Sequence, residues 1–242
     1  MVELTGRVAL VTGGSRGIGR AIAISLADAG ATVAVNYLER ASAAEHVVEA
    51  IRKKDGRAMA VGGDVSKAAA VTALMASVER ELGPLDVLVN NAGIGLVRTV
   101  EDLTEDDFDR TIAVNLKSVF LCTQAVVSGM KARGWGRIVN ISSGAARGGG
   151  GVGPHYNASK AGMEGMTRGY AARLVMDGIT VNAVAPSLIE TDMVHAVASS
   201  AARIPLGRFG TPQECADVVM MLVGNGYMTG QTVALSGGLS FV

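Results

Sequence analysis

The stretch Val8-Ala-Leu-Val-Thr-Gly-Gly-Ser-Arg-Gly-Ile-Gly19 decides the fold of this chain. A short apolar run ends in a glycine-rich turn, and a helical pattern begins at about Gly17. Glycines allow a tight turn and let backbone N–H groups approach a phosphate, while the helix N-terminus adds its positive dipole end. A strand, a glycine turn and a helix in this order predict a dinucleotide-binding unit, although the glycine spacing is not G-x-G-x-x-G.

The rest of the chain alternates short strand patterns with longer helical patterns. The strands are predicted at Val8–Val11, Thr32–Tyr37, Ala58–Val61, Val87–Val89, Arg137–Ile141, Thr180–Ala185 and Thr232–Leu235. The helices are predicted at Gly17–Ala29, Ala43–Lys54, Ala68–Leu82, Asp106–Met130, Tyr156–Met176 and Pro212–Leu222. Most strand runs are continuously apolar, which is typical of parallel strands covered on both faces. We therefore expect a Rossmann-like, doubly wound α/β fold with a seven-stranded parallel sheet, as a single domain spanning residues 1–242.

Composition limits the classes of function. Lys plus Arg and Asp plus Glu number 22 each, so the chain lacks the basic excess typical of nucleic-acid binders. No run approaches the ~20 apolar residues of a membrane helix, and the N-terminus does not resemble a signal peptide. We expect a cytoplasmic protein without membrane or nucleic-acid partners. Cys122 and Cys215 lie in apolar helical patterns, which favours packing over reactivity, and no residue spacing suggests a metal site.

Two segments interrupt the alternation of strands and helices. Gly148–Gly151 is a run of glycines, and Ser187–Pro205 follows a strand and is rich in small residues. Ligands bind beyond the carboxyl ends of strands in open α/β sheets. These segments are therefore interpreted as pocket walls or a lid, with plain surface connections as the alternative.

The tip of the second strand indicates which dinucleotide is bound. An NAD-binding chain usually carries Asp or Glu there to hold the ribose 2′-OH, but this strand ends in Asn36 and Tyr37. Arg16 lies in the glycine turn and Arg40 follows the strand, and guanidinium groups suit a 2′-phosphate. Glu39 is the contrary residue, and we expect it to face solvent. The pattern favours NADP(H).

Tyr156 and Lys160 are four residues apart, so a helix would place both side chains on one face. A nearby ammonium favours the phenolate and is expected to lower the pKa of the tyrosine, which then serves as an acid/base. So short a pattern also fits an ordinary surface pair. Ser143 follows the apolar strand Arg137–Ile141, where its hydroxyl is placed to bond a substrate oxygen.

At these residues the chain resembles the short-chain dehydrogenase/reductase superfamily, and within it the 3-oxoacyl-[acyl-carrier-protein] reductases. The resemblance covers essentially the whole chain. It rests on Thr12–Gly19, Asp64-Val65, Asn90-Asn91-Ala92-Gly93, Tyr156-x-x-x-Lys160 and Pro186 to Met193. The cofactor-binding residues expected from the residues and the resemblance are Gly13, Ser15, Arg16, Gly17, Ile18, Gly19, Asn36, Tyr37, Asp64, Val65, Asn91, Ala92, Gly93, Tyr156, Lys160, Pro186, Ile189 and Thr191.

The resemblance also implies the catalytic residues, which are Asn115, Ser143, Tyr156 and Lys160. Tyr156 is expected to give its proton to the substrate oxygen, and Ser143, rather than Ser142, keeps the family's spacing for the serine that steadies this oxygen. Lys160 is expected to bind the nicotinamide ribose, and Asn115 to kink its helix and hold a water beside the lysine. His155 is left out of the mechanism.

Three hypotheses follow for function. The first is an NADP-dependent 3-oxoacyl thioester reductase, with acyl carrier protein as a partner. The second is a general ketone, aldehyde or sugar-type carbonyl reductase, and the third is a non-catalytic nucleotide-binding scaffold. Asp177 and Ser187 depart from the carrier-protein reductases, and the segment after Met193 is shorter; Lys131, Arg133 and Arg137 keep the basic character of a docking surface. The resemblance also implies a homotetramer.

Overall fold

The fold is a doubly wound α/β sandwich, described by a computed structural model for residues 2–195 and 200–241. Its seven strands form one parallel sheet in the order β3-β2-β1-β4-β5-β6-β7. The strands are β1 (Val8–Val11), β2 (Thr32–Tyr37), β3 (Ala58–Gly62), β4 (Val87–Asn90), β5 (Gly136–Ile141), β6 (Ile179–Pro186) and β7 (Thr232–Leu235). The predicted fold class and all seven predicted strands are confirmed.

Helices cover both faces of the sheet. They are α1 (Gly17–Asp28), α2 (Ala41–Arg52), α3 (Ala68–Leu82), α4 (Glu105–Ile112), α5 (Ser118–Arg133), α6 (Pro154–Leu174), α7 (Asp192–His195) and α8 (Pro212–Gly224). Successive strand residues point to opposite faces, so Ala9 and Val11 pack against α1, α2 and α8, whereas Val8 and Leu10 pack against α3, α5 and α6. Because both faces are buried, the strands are apolar throughout, as the sequence indicates.

The strand order reverses between the neighbouring strands β1 and β4. From β1 the chain adds β2 and β3 toward one edge of the sheet, and from β4 it adds β5, β6 and β7 toward the other. In open α/β sheets, this reversal opens a crevice outside the carboxyl ends of the strands. The glycine turn after β1 and the segment Asn91–Gly93 after β4 meet at this point. The fold therefore places two of the motifs found in the sequence side by side.

The long helix predicted at Asp106–Met130 is not a regular helix throughout. Its central turn, Ala113–Lys117, has π-helical hydrogen bonding and separates α4 from α5. A π-turn inserts one extra residue into a helical turn, and such turns frequently occur at functional sites. The expected kink at Asn115 thus takes the form of a π-turn.

One helix in the described part of the chain, Glu105–Arg133, is long and apolar enough to cross a membrane by length and composition alone. The sequence expectation of no membrane span is not overturned by this helix, because core helices of globular proteins meet the same criteria of length and composition. In the structure α5 packs against α3 and β5, and it buries Cys122, Val126 and Met130 in the core beneath the sheet. The helix thus has a packing role in a globular fold.

The two cysteines are buried, as expected from their apolar surroundings. Burial raises the pKa of both Cys122 and Cys215 to about 12, so neither thiol ionises readily near neutral pH. Within residues 2–195 and 200–241 no group of three His, Cys, Asp or Glu side chains is placed to hold a metal ion.

Candidate active site

The glycine turn after β1 has the geometry of a phosphate cradle. Gly13 and Gly17 adopt positive φ angles of 62° and 53°, which only glycine adopts without strain. A side chain at Gly19 would collide with the Asn91 amide and the Gly13 carbonyl. Gly13, Gly17 and Gly19 are therefore required by backbone conformation or by space.

Helix α1 begins at this turn with its N-terminus uncapped. Arg16 occupies the N-cap position without a side-chain capping bond, and the first turn carries no acidic residue. The N–H groups of the first turn therefore keep their hydrogen-bonding capacity for an anion. By contrast, α8 begins with a complete capping box between Thr211 and Glu214. The turn and helix together fit the pyrophosphate of a dinucleotide.

Buried polar side chains fix the turn to its neighbours. Asn91 donates from Nδ2 to the carbonyls of Thr12 (2.9 Å) and Gly13 (3.0 Å), while Thr12 Oγ1 accepts from the backbone N–H of Asn91 (2.9 Å). Asn36 is 2% exposed, and its Oδ1 accepts from Gly13 N at 3.2 Å. The amide groups of Asn36 and Asn91 are thus engaged by the backbone and fix the shape of the turn.

At the tip of β2, two arginines meet a carboxylate that sequence reasoning missed. Arg16 Nη1 lies 2.7 Å and Arg40 Nη1 3.7 Å from Oδ2 of Asp192, the first residue of α7. Glu39 is exposed, as expected, and makes no hydrogen bond or ion pair with a described residue. Asp64, after β3, holds Ser66 through one oxygen (2.6 Å to Oγ). The two predicted cations therefore do converge at this tip.

Tyr156 and Lys160 lie on the buried face of α6, near its start. Tyr156 is 8% exposed and Lys160 is 4% exposed. Lys160 Nζ donates to the carbonyl of Ile141 at 2.7 Å and lies 5.7 Å from the centre of the Tyr156 ring. Because both side chains are buried, the interpretation of Tyr156-x-x-x-Lys160 as an ordinary surface pair does not describe this structure.

The pKa of Tyr156 shifts in the direction opposite to the one expected. Burial raises the pKa of Tyr156 above its ordinary value, and only the hydroxyl of Ser143, as a hydrogen-bond partner, lowers it. Burial also lowers the pKa of Lys160 from 10.5 to about 8, because the site disfavours charge on either group. The ammonium points at the Ile141 carbonyl instead of at the phenol oxygen, so Lys160 does not offset the burial of the phenol here.

Asn115 joins this cluster from the π-turn. It is fully buried, accepts at Oδ1 from Ile94 N (2.8 Å) and donates from Nδ2 to Ile94 O (3.0 Å) and to Ser159 Oγ (3.2 Å). A Cβ at Gly93 would lie 3.3 Å from Asn115 Oδ1 and 3.7 Å from Lys160 Nζ. The π-turn thus lets one side chain connect the segment after β4 to the helix of Tyr156, without exposing Asn115 to solvent.

Ser159 is a member of the cluster that sequence reasoning missed. Its hydroxyl donates to the carbonyl of Tyr156 at 2.7 Å and accepts from Asn115. The signal was present in the sequence, since Ser159 directly precedes Lys160 and lies three residues after Tyr156, on the same side of a helix.

The two serines after β5 point in different directions. The Ser142 hydroxyl is buried and donates to Lys160 O and to Glu164 Oε1, both at 3.3 Å. Ser143 is partly exposed and, as the N-cap of a short 3-10 turn, accepts from Ala145 N. Of the two serines, Ser143 is the one with an exposed part beyond the carboxyl end of β5, so it stays the predicted catalytic serine.

The segment after β6 lies over the glycine turn. A Cβ at Gly17 would lie 3.3 Å from the Thr191 methyl group, and Ile189, which is 4% exposed, pairs with Gly210. Among the described residues only Asp55 is a non-glycine residue with positive φ, so Ser187 replaces glycine without backbone strain. Part of the predicted pocket segment Ser187–Pro205, namely residues 196–199, lies outside the described residues.

His155 is fully buried, and its Nε2 lies 3.0 Å from the carbonyl of Leu96. Because a carbonyl oxygen only accepts, Nε2 must carry the proton. His155 therefore fastens the segment after β4 to the first turn of α6, which agrees with leaving it out of proton transfer.

The cations expected on a docking surface are occupied within the chain. Lys131 Nζ lies 3.0 Å from Asp177 Oδ2, and Arg133 donates to the Leu85 carbonyl at 2.6 Å. The Arg137 guanidinium stacks on the ring of Trp135 at 4.4 Å. These groups surround the amino ends of β4 and β5, whereas the cofactor turn and Tyr156 lie beyond the carboxyl ends. Internal pairing reduces the positive charge that this surface offers to an acidic partner.

A cleft of about 520 Å³ lies apart from this site, between α2, β3 and α3. Its arginines are engaged by the backbone, with Arg52 donating to Ala58 O and Arg57 donating to Glu81 O. These bonds satisfy carbonyls of an edge strand and a helix end, so the arginines have a structural function there.

Comparison with known proteins identifies the family. Residues 7–202 match the family model described as short chain dehydrogenase. The chain belongs to the short-chain dehydrogenase family. It is 42% identical over 244 residues to a 3-oxoacyl-[acyl-carrier-protein] reductase of Synechocystis sp., covering 99% of both chains. It is 43% identical to an acetoacetyl-CoA reductase of Shinella zoogloeoides, with 98% of this chain and 99% of the relative covered.

Solved structures of this family have the same fold. A putative gluconate dehydrogenase from Agrobacterium tumefaciens superposes with a TM-score of 0.93 at 34% identity, over 99% of this chain and 98% of the other. A gluconate 5-dehydrogenase from Burkholderia cenocepacia, in complex with NADP and tartrate, gives 0.91 at 34% identity, over 98% and 96%. The resemblance stated from motifs is confirmed, and this short-chain dehydrogenase is an oxidoreductase.

Proposed function

We propose that this short-chain dehydrogenase is an NADP-dependent enzyme that reduces the keto group of a 3-oxoacyl thioester. The observation that carries the proposal is the buried group of Tyr156, Lys160 and Asn115, flanked by the partly exposed Ser143, together with an uncapped, glycine-lined helix N-terminus. The acyl thioester is supported by the names of two relatives above 40% identity, a 3-oxoacyl-[acyl-carrier-protein] reductase and an acetoacetyl-CoA reductase.

When bound, NADPH supplies the hydride that is added to the carbonyl carbon. Tyr156 donates its phenolic proton to the carbonyl oxygen, and its raised pKa keeps that proton in place until charge develops there. Ser143 donates a hydrogen bond to the same oxygen. Lys160 binds the ribose hydroxyls, and Asn115 holds the segment after β4 against α6 and supports proton supply through a water.

The cofactor-binding residues are proposed at the positions expected from the motifs. The first turn of α1 and residues Gly13, Ser15, Gly17, Ile18 and Gly19 hold the pyrophosphate. Arg16 and Arg40 bind the 2′-phosphate, Asp64 and Val65 contact the adenine, and Tyr37 lies at the tip of β2. Asn91, Ala92 and Gly93 line the crevice, with Pro186, Ile189 and Thr191 at the nicotinamide end.

A second candidate is a reductase or dehydrogenase of sugar-type carbonyls. It is favoured by the two gluconate dehydrogenase structures, which superpose over nearly the whole chain. The internal pairing of Lys131 with Asp177 also weakens the case for an acidic carrier protein as partner. A non-catalytic scaffold is the third candidate, and it gives no reason for burying Lys160 beside Tyr156.

One assay separates these candidates. NADPH and NADH consumption is followed with acetoacetyl-CoA, a 3-oxoacyl carrier protein, simple ketones and 5-ketogluconate. NADPH-dependent turnover of the thioesters is expected, and a higher rate with the carrier-bound form would identify the carrier protein as partner. Turnover of 5-ketogluconate alone would support the second candidate, and NADPH binding without any turnover would support the scaffold.

We also propose that the protein is a homotetramer. Phe108 on α4 and Phe120 on α5 are 43% and 45% exposed, which leaves apolar surface on the long helix. Sedimentation equilibrium is expected to give four times the mass of the 24.7 kDa chain, and a monomer mass would contradict the proposal.

A further inference from the structure

Two arginines from separate segments converge on one carboxylate oxygen at the rim of the cofactor crevice. Arg16 belongs to the glycine turn before α1, and Arg40 directly precedes α2. Their Nη1 atoms lie 2.7 Å and 3.7 Å from Oδ2 of Asp192. Two guanidinium groups aimed at a single oxygen define a position where the protein favours an anion.

This position coincides with the place expected for the 2′ substituent of the adenosine ribose. In dinucleotide-binding folds that substituent lies at the tip of the second strand, and Arg16 and Arg40 flank the tip of β2. Thr191, the residue before Asp192, lies close over the turn, since a Cβ at Gly17 would be 3.3 Å from its methyl group. Asp192 is thereby fixed next to the site that would receive the 2′-phosphate.

The contact between Asp192 and the arginines does not hold the fold together. The side chains of Arg16, Arg40 and Asp192 are 54%, 58% and 72% exposed. Within residues 2–195 and 200–241 they form no other side-chain hydrogen bond or ion pair. Exposed ion pairs contribute little to stability because solvent screens them, so the carboxylate is readily exchanged for a stronger anion.

We propose that Asp192 is a specificity-determining residue that competes with the 2′-phosphate of NADP(H) for Arg16 and Arg40. The phosphate carries a charge of about −1.5 to −2 and displaces the single charge of the carboxylate. The arginines lose their contact with Asp192 when the phosphate binds, and this loss reduces the net affinity for the phosphate. The displaced carboxylate also repels the phosphate. NADH has no group at this position, so Asp192 narrows the preference for NADPH over NADH. This inference rests on the proposed use of NADP(H).

The test measures binding of NADPH and of NADH to the full-length protein by fluorescence titration, without substrate. Asp192→Asn keeps the size of the side chain and removes its charge, so the Kd for NADPH is expected to fall about two- to fivefold. The Kd for NADH is expected to stay unchanged. Raising NaCl to about 0.5 M should reduce the difference, because exposed charges are screened.

Glu190→Gln is the matched control. Glu190 lies on the same segment, but its Oε1 contacts His195 Nε2 at 2.8 Å and makes no ion pair with either arginine. This variant is expected to leave both dissociation constants unchanged. An equal gain in NADPH affinity for both variants would overturn the inference, because the effect would then come from general negative charge.

The dependence on the arginines gives a second readout. In an Arg16→Ala, Arg40→Ala background, Asp192→Asn should no longer improve NADPH binding through competition, so most of its effect should disappear. The inference is overturned if the wild-type protein prefers NADPH but Asp192→Asn leaves its Kd unchanged. A wild-type protein that binds NADPH and NADH equally would contradict the proposed cofactor instead. If Asp192→Asn then bound NADPH more tightly than NADH, that result would still support competition.

Discussion

The catalytic cluster and the arginine pair lie at the same edge of the sheet, but their charges are held in opposite ways. Lys160 is 4% exposed and donates to a backbone carbonyl, whereas the side chain of Arg16 is 54% exposed and pairs with another exposed group. Burial fixes the position of Lys160 and lowers its pKa to about 8. Exposure leaves the Arg16 side chain able to exchange partners. The first region is therefore suited to proton transfer, and the second to selecting a phosphate.

The largest effect is expected for Tyr156→Phe, which removes the proposed proton donor and keeps the ring. Turnover should fall by about 10²–10⁴-fold, while the Kd for NADPH changes by less than about twofold. Stopped-flow rates and fluorescence titration measure these two quantities. Tyr170→Phe is the matched control on the same helix, because among residues 2–195 and 200–241 the Tyr170 hydroxyl bonds only Gln124. Unchanged turnover in Tyr156→Phe would mean that another group supplies the proton.

Lys160→Met is expected to abolish turnover and to stabilise the fold near pH 7 by about 1–3 kcal/mol. Burial lowers the pKa of Lys160 from 10.5 to about 8, so the folded state holds the ammonium at a cost. Below pH 8 that cost is fully present, and it fades between pH 8 and 10.5 as the folded state releases the proton before the unfolded state does. Urea unfolding should therefore show a larger gain near pH 7 than near pH 10.

Lys53→Met serves as the control for that comparison, because Lys53 is exposed at the end of α2. Lys53→Met is expected to change the free energy of unfolding by the same amount near pH 7 and near pH 10. A Lys160→Met protein that is less stable than wild type near pH 7 would show that the bond to Ile141 outweighs the burial of charge.

Arg16→Ala should weaken NADPH binding about tenfold and leave NADH binding nearly unchanged, because a guanidinium bond to a phosphate is lost. Arg20→Ala, one turn along α1, removes an exposed arginine that forms no ion pair with a described residue, and it is the control. Isothermal titration with both nucleotides measures the effect. Equal weakening of NADH would place Arg16 at the pyrophosphate shared by the two cofactors.

Local patterns predicted most of the fold, because its strands are buried on both faces and its helices are long. All seven strands and the glycine turn follow from short-range sequence, as do the positions of Tyr156 and Lys160 on one helix face. The π-turn at Ala113–Lys117 was outside such reasoning, because its residue Asn115 bonds to Ile94 and Ser159, which belong to other parts of the fold.

The electrostatics of the site were less predictable. The pKa of Tyr156 depends on burial and on where Lys160 Nζ points, and neither follows from a spacing of four residues. Asp192 is far from Arg16 and Arg40 in sequence, so its pairing with them required the three-dimensional path of the chain after β6. The motifs thus predicted which residues lie together at the site, whereas the hydrogen-bond and ion-pair partners of their charged atoms could be identified only in the structure.

The most direct test of the account follows the hydrogen itself. The enzyme is supplied with acetoacetyl-CoA and NADPH that carries deuterium at both C4 positions of the nicotinamide, and the hydroxyacyl product is analysed by mass spectrometry. Hydride transfer to the carbonyl predicts deuterium on the carbinol carbon of the product, and loss of this product in Tyr156→Phe. A hydroxyacyl product without deuterium, or no reduction of any carbonyl tested, would contradict the account.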